Sequence, residues 1–301
     1  MPVNSSTMRR MHCAWSIAGL CLWLAAWVGP ASANVKVVAT IFPLTDMIRQ
    51  VGKEHVDVAT LLPPGANPHT FEPTPAQMRE VAGAGLFICV GAGLDTWATK
   101  LLAARSGSIA VVAITDGLQL LGAQHEHDGH GGDPHVWVDP VLMRDHAVPA
   151  IAAALSQIDP DHRTVFAAAA AEFQSALTQL DSDIRAALTP IPNRNYADFH
   201  SAWRYFGARY DLREVAVVEP FPGKEPSARE LAAVVERARA ARVRALLIEP
   251  QFNARMAQQV AAEFGGHVVV VDALGGPDVP GRNHYIDLMR YNLRAFVEAL
   301  S

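Results

Sequence analysis

Residues 159–192 read DPDHRTVFAAAAAEFQSALTQLDSDIRAALTPIP, and the pattern within them sets the architecture. Asp159 is a good helix N-cap, and Pro160 suits the first helical position, where its missing N–H costs nothing. Val165, Phe166, Ala169, Phe173, Leu177, Leu180, Ile184 and Leu188 then recur at spacings of three to four, with one adjacent pair. Pro190-Ile191-Pro192 stops the run. The spacing predicts one amphipathic helix of roughly 28 residues, about 42 Å long. A helix of that length can run along two halves of a molecule.

On both sides of it, short strand-like runs alternate with helical spacing. Before it, 35–39, 56–62, 86–90 and 109–114 read as strands, and 43–51, 75–82 and 96–105 as helices. After it, 196–199, 214–218, 245–248 and 267–271 read as strands, and 203–210, 227–241, 254–264 and 285–300 as helices. Ser227-Ala228-Arg229-Glu230 is a capping box. Such alternation implies βαβ units and parallel pairing. The expected fold class is therefore α/β: two similar lobes with mostly parallel sheets, joined by one long rigid linking helix. The expected boundaries are 34–158 for the N-terminal lobe, 159–189 for the linking helix and 190–301 for the C-terminal lobe. Ligands of such sheets bind beyond the carboxyl ends of the strands.

The first 33 residues read as a cleaved signal peptide. Arg9-Arg10 form a basic start, 14–28 is apolar, and Ala31-Ser32-Ala33 offers a small-residue cleavage site. The apolar run is too short for a membrane span of about 20 residues. Export to the periplasm follows. Leu20 precedes Cys21, which argues against a lipid anchor. Removing the two leader arginines leaves 23 basic against 30 acidic residues, a balance of −7 that excludes a basic nucleic-acid footprint. Cys89 would then be the one cysteine left, so no disulfide within the chain is expected, and its apolar surroundings mark it as a core residue.

The chemistry lies in segments that end in good zinc ligands. These are Asn67-Pro68-His69, Asp133-Pro134-His135, Asp198-Phe199-His200 and, after a valine run, Asp272. No local turn unites residues this far apart; only a fold that brings distant loops to one cleft does so. Three imidazoles and a carboxylate suit tetrahedral zinc, at bond lengths of about 2.0–2.2 Å. Protons compete for imidazole, so affinity should fall with pH. Phe71, Trp137, Phe199 and Trp203 are candidates to wall the cleft. Between the first two segments lies His125-Glu126-His127-Asp128-Gly129-His130, glycine-flanked and without apolar residues. Its histidines are candidates for a low-affinity zinc collector over 124–132.

At these residues the chain resembles the zinc and manganese solute-binding proteins of ATP-driven bacterial importers, the ZnuA-like group, in its zinc type. The resemblance runs from about Val35 to the C-terminus and rests on six motifs in order. They are 64–73 (PGANPHTFEP), 133–140 (DPHVWVDP), 199–206 (FHSAWRYF), 225–227 (EPS), 249–252 (EPQF) and 272–276 (DALGG). It implies two lobes with the metal in the cleft between them, and His69, His135, His200 and Asp272 as ligands. It further implies periplasmic capture of one tightly held Zn2+, delivered to an ABC importer permease in the inner membrane, with no chemistry on the cargo. A periplasmic zinc metallochaperone is a further expected partner, and the chain is expected to be a monomer. Glu72 and Glu249 lie in these motifs as candidates to orient the ligands. Manganese carriers of the group tend to place a carboxylate where this chain has His200, and imidazole suits zinc.

Three alternatives stand beside this reading: a manganese or iron carrier of the same fold, a periplasmic zinc buffer or adhesin without transporter coupling, and a zinc hydrolase. The hydrolase is disfavoured because no His-Glu-x-x-His helix or nucleophile elbow occurs, and Asp272 would close the position that catalytic zinc keeps for water. His55, His146, His162, His267 and His284 lie outside the motifs and are read as structural or surface residues.

Overall fold

The computed structural model describes residues 1, 33–123, 132–220 and 223–301. Among these the chain builds two four-stranded sheets. Val35–Ala39 (β1), Val56–Thr60 (β2), Leu86–Cys89 (β3) and Ala110–Ala113 (β4) form the first, in the order β2-β1-β3-β4. Asn195–Asp198 (β5), Arg213–Val217 (β6), Ala245–Ile248 (β7) and His267–Val270 (β8) form the second, in the order β6-β5-β7-β8. Every pairing is parallel. The two orders are equivalent: the first strand of each sheet lies between its second and third. The direction of sheet growth therefore reverses beside β1 and beside β5, and such a reversal opens a crevice beyond the carboxyl ends of the strands.

Strand alternation splits the apolar side chains between two faces. Val37, Ala39, Leu86 and Ile88 of the first sheet share one core with Tyr196, Ala245 and Leu247 of the second. Val38 and Phe87 point the other way, to Val81, Trp97 and Leu101. Likewise Ala197, Leu246 and Ile248 pack with Val234, Ala257 and Val260. The shared core is filled by the long helix Arg163–Leu188, numbered α6, whose Phe166, Phe173, Leu177, Leu180, Ile184 and Leu188 are all buried there. At 26 residues it is about 39 Å long. It packs on α1 (Phe42–Gly52) of the first lobe and on α10 (Tyr285–Leu300) of the second.

Two local differences from the sequence reading have physical causes. The α-helix begins after a single 3-10 turn at Pro160–His162, because Asp159 Oδ2 bonds His162 Nδ1 at 2.6 Å and makes no cap to the backbone. The segment before it, unassigned from sequence, forms Pro140–Leu142 (α4), a π turn at Met143–Ala147 and Val148–Ile158 (α5). In 148–158 the large side chains Val148, Ile151 and Leu155 recur at helical spacing and are buried, with alanines filling the turns between; the helix packs on α1 and α6.

Polar contacts also cross from lobe to lobe. The buried carboxylate of Asp46 on α1 accepts the Tyr285 N–H at 2.8 Å and His284 Nδ1 at 3.0 Å, so it caps α10 from the other lobe. Arg209, on α7 (Arg204–Tyr210), donates from Nε to both oxygens of buried Asp139 at 2.9 and 3.1 Å. Among the described residues no helix is long and apolar enough to cross a membrane.

One shared core predicts one cooperative unit. Leu177→Ala, at a side chain with no exposure, should cost about 2–5 kcal/mol. Denaturant curves followed by circular dichroism and by tryptophan fluorescence should superimpose. Two separated transitions would show that each lobe has its own core.

Candidate metal centre

His69 lies in the loop after β2, His135 in the loop after β4, and His200 two residues beyond the end of β5. Two of these loops use the same local device. Asn67 Oδ1 accepts the His69 N–H at 2.9 Å, and Asp133 Oδ1 accepts the His135 N–H at 3.0 Å. In each case a proline stands between, fixing φ and removing a competing donor. The Pro68 carbonyl is held by Trp97 Nε1 at 3.0 Å. His200 is placed by the sheet itself: Phe199 N–H donates to the Leu247 carbonyl at 2.8 Å, and the His200 carbonyl accepts the Ala202 N–H at 2.8 Å.

The three imidazoles meet. Their centroids lie 5.2 Å apart for His69 and His135, and 5.0 Å from each of these to His200. One ring nitrogen from each falls within 4.8 Å of the other two. Nε2 of His69 and Nε2 of His135 are 3.1 Å apart. Two nitrogens bound to one tetrahedral zinc at about 2.05 Å lie about 3.3 Å apart, so this spacing fits a shared cation. His135 and His200 are buried and His69 is half-buried.

The far side of two rings is committed. His135 Nδ1 bonds Asp133 Oδ1 at 2.8 Å, and His200 Nδ1 bonds Glu249 Oε2 at 3.0 Å. A carboxylate accepts, so Nδ1 carries the proton in both rings and Nε2 presents its lone pair inward. Trp137 packs 5.1 Å from His135, and Phe252 packs 5.1 Å from His200, which keeps water from those faces. Trp203, by contrast, is a core residue against Phe206 and Phe296, and Phe71 packs on Trp97.

Of the other sequence candidates, Glu249 sits on the His200 ring as described, while Glu72 is exposed. Asp272 stands outside the group of three. Its Oδ1 accepts the N–H groups of Leu274 and Gly275, both at 2.9 Å, and its Oδ2 accepts from Arg282 Nη1 at 2.9 Å. The carboxylate expected from the resemblance as a fourth ligand is thus turned onto its own loop and a guanidinium. His125, His127 and His130 lie outside the described residues. Cys89 is partly buried on β3, where desolvation, then the charges of Asp95 and Asp116, push its thiol far from the thiolate form. Asp133 and Phe252 stood in quoted motifs but were given no role from sequence; the repeat of Asn67-x-His69 in Asp133-x-His135 was the available signal for the first.

Beside His200 lies a cluster of acidic side chains, Asp198, Glu214 and Glu249. Asp198 has no exposure and neither of its oxygens has a partner among the described residues. Burial, then the nearby charges of Glu214 and Glu249, raise its pKa well above the carboxylate range. Burial pushes Glu214 up to about 7, against the Ser201 hydroxyl and Arg204, which favour its charge. An acid raised in the folded state holds a proton that the unfolded chain has lost, so the folded state loses ground as pH rises through that window. The metal-free protein should therefore lose stability between about pH 4.5 and 7, by at most about 3 kcal/mol from this group. Glu214→Gln should flatten that part of the profile in urea titrations run at pH 5 and pH 8. Equal slopes for both proteins would count against a buried, proton-holding Glu214.

Comparison with known proteins agrees with this architecture. The family model described as "ZnuA: Zinc-uptake complex component A periplasmic" matches residues 37–299. The high-affinity zinc uptake system protein ZnuA of Bacillus subtilis (strain 168) is 28% identical over 95% of this chain and 98% of its own length. The zinc-binding protein AdcA of Streptococcus pyogenes serotype M3 is 26% identical over 87% of this chain, which spans 55% of that protein. A crystal structure of ZnuA superposes with a TM-score of 0.79 at 28% identity, over 89% of this chain and all of that one. A Mn-bound periplasmic metal-binding protein from Candidatus Liberibacter asiaticus shares the fold, with a TM-score of 0.79 at 20% identity over 89% of this chain and all of that one. With the family match covering both sheets, the linking helix and all three histidine loops, the chain belongs to the zinc-uptake complex component A family.

Proposed function

We propose that this chain is a zinc-capture protein working outside the cytoplasm. Three imidazoles, His69, His135 and His200, would take Zn2+ between the lobes and present it to an ABC-type permease in the inner membrane, with no chemistry on the cargo. The observation that carries the reading is the convergence of the three rings, two of them anchored through Nδ1 by buried carboxylates. Such anchors fix ring orientation and raise ligand basicity. The charges of Asp133 and Glu249 offset that of a buried dication, which would otherwise be costly to desolvate. Nitrogen ligands suit zinc better than manganese, which prefers oxygen. The printed names of the Bacillus and Streptococcus relatives, zinc uptake and zinc-binding, support the same cargo.

The remaining expectations belong to this reading. Residues 1–33 act as the export signal, Cys21 carries no lipid, the protein works as a monomer, and a periplasmic zinc metallochaperone is a further donor or acceptor. Residues 124–132 act as a weak zinc collector. Support for that role comes from the segment's neck: the Asp133 N–H donates to the Leu121 carbonyl at 2.8 Å. The Tyr205 hydroxyl accepts from the Leu121 N–H at 3.0 Å and donates to the Asp133 carbonyl at 2.9 Å. The segment thus ends on the residue whose side chain orients His135.

Titration of metal-free protein with zinc against a competing chelator tests the site. His135→Ala and His200→Ala should abolish tight binding, while Asp133→Asn and Glu249→Gln should weaken it by about 10–100-fold. Zinc at about a thousandfold excess over Kd should stabilise the fold by about 4 kcal/mol. Unchanged affinity in the histidine variants would sink the reading. Deleting 124–132 should remove weak extra zinc and slow uptake under scarcity while the tight site keeps its affinity. Loss of that tight site would refute the collector role. Deleting the gene should lower cellular zinc accumulation, whereas a buffer or adhesin without a transporter would leave it unchanged.

A further inference from the structure

Asp272 follows β8, at the end of the sheet where cleft-facing ligands belong, yet its polar atoms are all engaged elsewhere. Its N–H donates to Asn292 Oδ1 at 2.8 Å, and its carbonyl accepts from Asn292 Nδ2 at 2.7 Å. Its Oδ1 holds two loop amides, and its Oδ2 holds Arg282 Nη1 at 2.9 Å. The carboxylate is nevertheless beside the triad's wall, since the Ala273 carbonyl accepts from Trp137 Nε1 at 2.7 Å and Trp137 packs on His135.

The arginine is delivered by construction. Its guanidinium carbon lies 4.7 Å from the centre of the Tyr291 ring, whose hydroxyl donates to the Val270 carbonyl at 3.1 Å. The Gly276 N–H donates to the Arg282 carbonyl at 3.3 Å, so the loop folds back on itself. Gly275 permits this: its φ is +63°, and a Cβ there would stand 2.5 Å from the Arg282 carbonyl oxygen. Arg282 Nε is buried with no partner among the described residues, so Asp272 and Tyr291 are what hold the group in place.

We propose that Arg282 is a specificity-determining residue: by binding Asp272 it withholds an oxygen ligand and a negative charge from the cation, leaving the three imidazoles as the protein's ligands. This rests on the triad reading above. An all-nitrogen set discriminates against Mn2+, which draws most of its affinity from oxygen, far more than against Zn2+. Freeing the carboxylate adds an oxygen donor that favours the harder ion.

The test uses the full chain stripped by chelation, titrated with Zn2+ and with Mn2+, with X-ray absorption at the zinc edge as a second readout. In Arg282→Gln, affinity for Mn2+ should rise by about tenfold or more, the Zn2+-to-Mn2+ ratio should narrow, and an oxygen should join the zinc shell. The double variant Arg282→Gln with Asp272→Asn should lose that gain. Tyr291→Ala, which removes the platform under the guanidinium, should move the ratio the same way and serves if Arg282→Gln does not fold. A folded Arg282→Gln with wild-type affinities and an unchanged shell would overturn the proposal and leave Arg282 as a loop brace. An oxygen from Asp272 in the wild-type zinc shell, lost in Asp272→Asn with a tenfold drop in affinity, would overturn it too. A wild-type chain that binds neither metal would instead sink the triad reading, and the arginine's role with it.

Discussion

An imidazole offers a metal one lone pair, and only while its other nitrogen keeps the proton. That constraint organises the cleft. His135 meets it within its own loop, through Asp133 two residues upstream. His200 meets it across the sheet, through Glu249 at the end of the neighbouring strand. The second case depends on register: Asp198 pairs with Leu247, so His200, two steps beyond β5, comes beside Glu249, one step beyond β7. A slip of one residue would turn Glu249 to the other face of the sheet. The position of a single proton on His200 is therefore fixed by backbone pairing in the second lobe.

The same logic explains why the lobes share one core. The histidines come from both sheets, and a cation bound between two loosely hinged bodies would have to hold them together against their own motion. Here α6 lies in the apolar cluster common to both sheets. Asp46 of the first lobe caps α10 of the second, and Asp139 binds Arg209 across the same boundary. Buried carboxylates at such junctions are costly unless fully paired, and both of these are. The scaffold spends its polar groups on fixing distance, which a binding site of three distant loops requires.

Much of this was legible in the chain, for identifiable reasons. Inner strands such as β3 and β7 are almost wholly apolar, and eight short strand-like runs stood out from the helical spacing between. Asn67-Pro68-His69 and Asp133-Pro134-His135 were legible because the turn chemistry is local: an Asx side chain, a proline, a histidine. What was illegible was non-local or unpatterned. In α5 the spacing of Val148, Ile151 and Leu155 is helical, but alanines fill the turns between and few polar residues mark the outer face, which masks the element. Asp159 looks like a cap yet serves a histidine. Asp272 resembles a ligand by its neighbours in sequence, while its partner Arg282 lies beyond a glycine reversal that no spacing rule announces.

Asp272 and Glu249 make the point together. Both are acids at the carboxyl ends of strands in the second sheet, both are buried, and both lie in motifs that suggest a metal. Glu249 faces an imidazole nitrogen and thereby strengthens that ring's opposite lone pair. Asp272 faces a guanidinium, which satisfies its charge. A charged hydrogen bond of this kind is stronger than a neutral one, and breaking it without a replacement leaves a buried charge exposed to a low dielectric. Position at a strand end is thus only an opportunity. Whether a carboxylate there binds, orients or stays aside is decided by the residue the next loop sets against it.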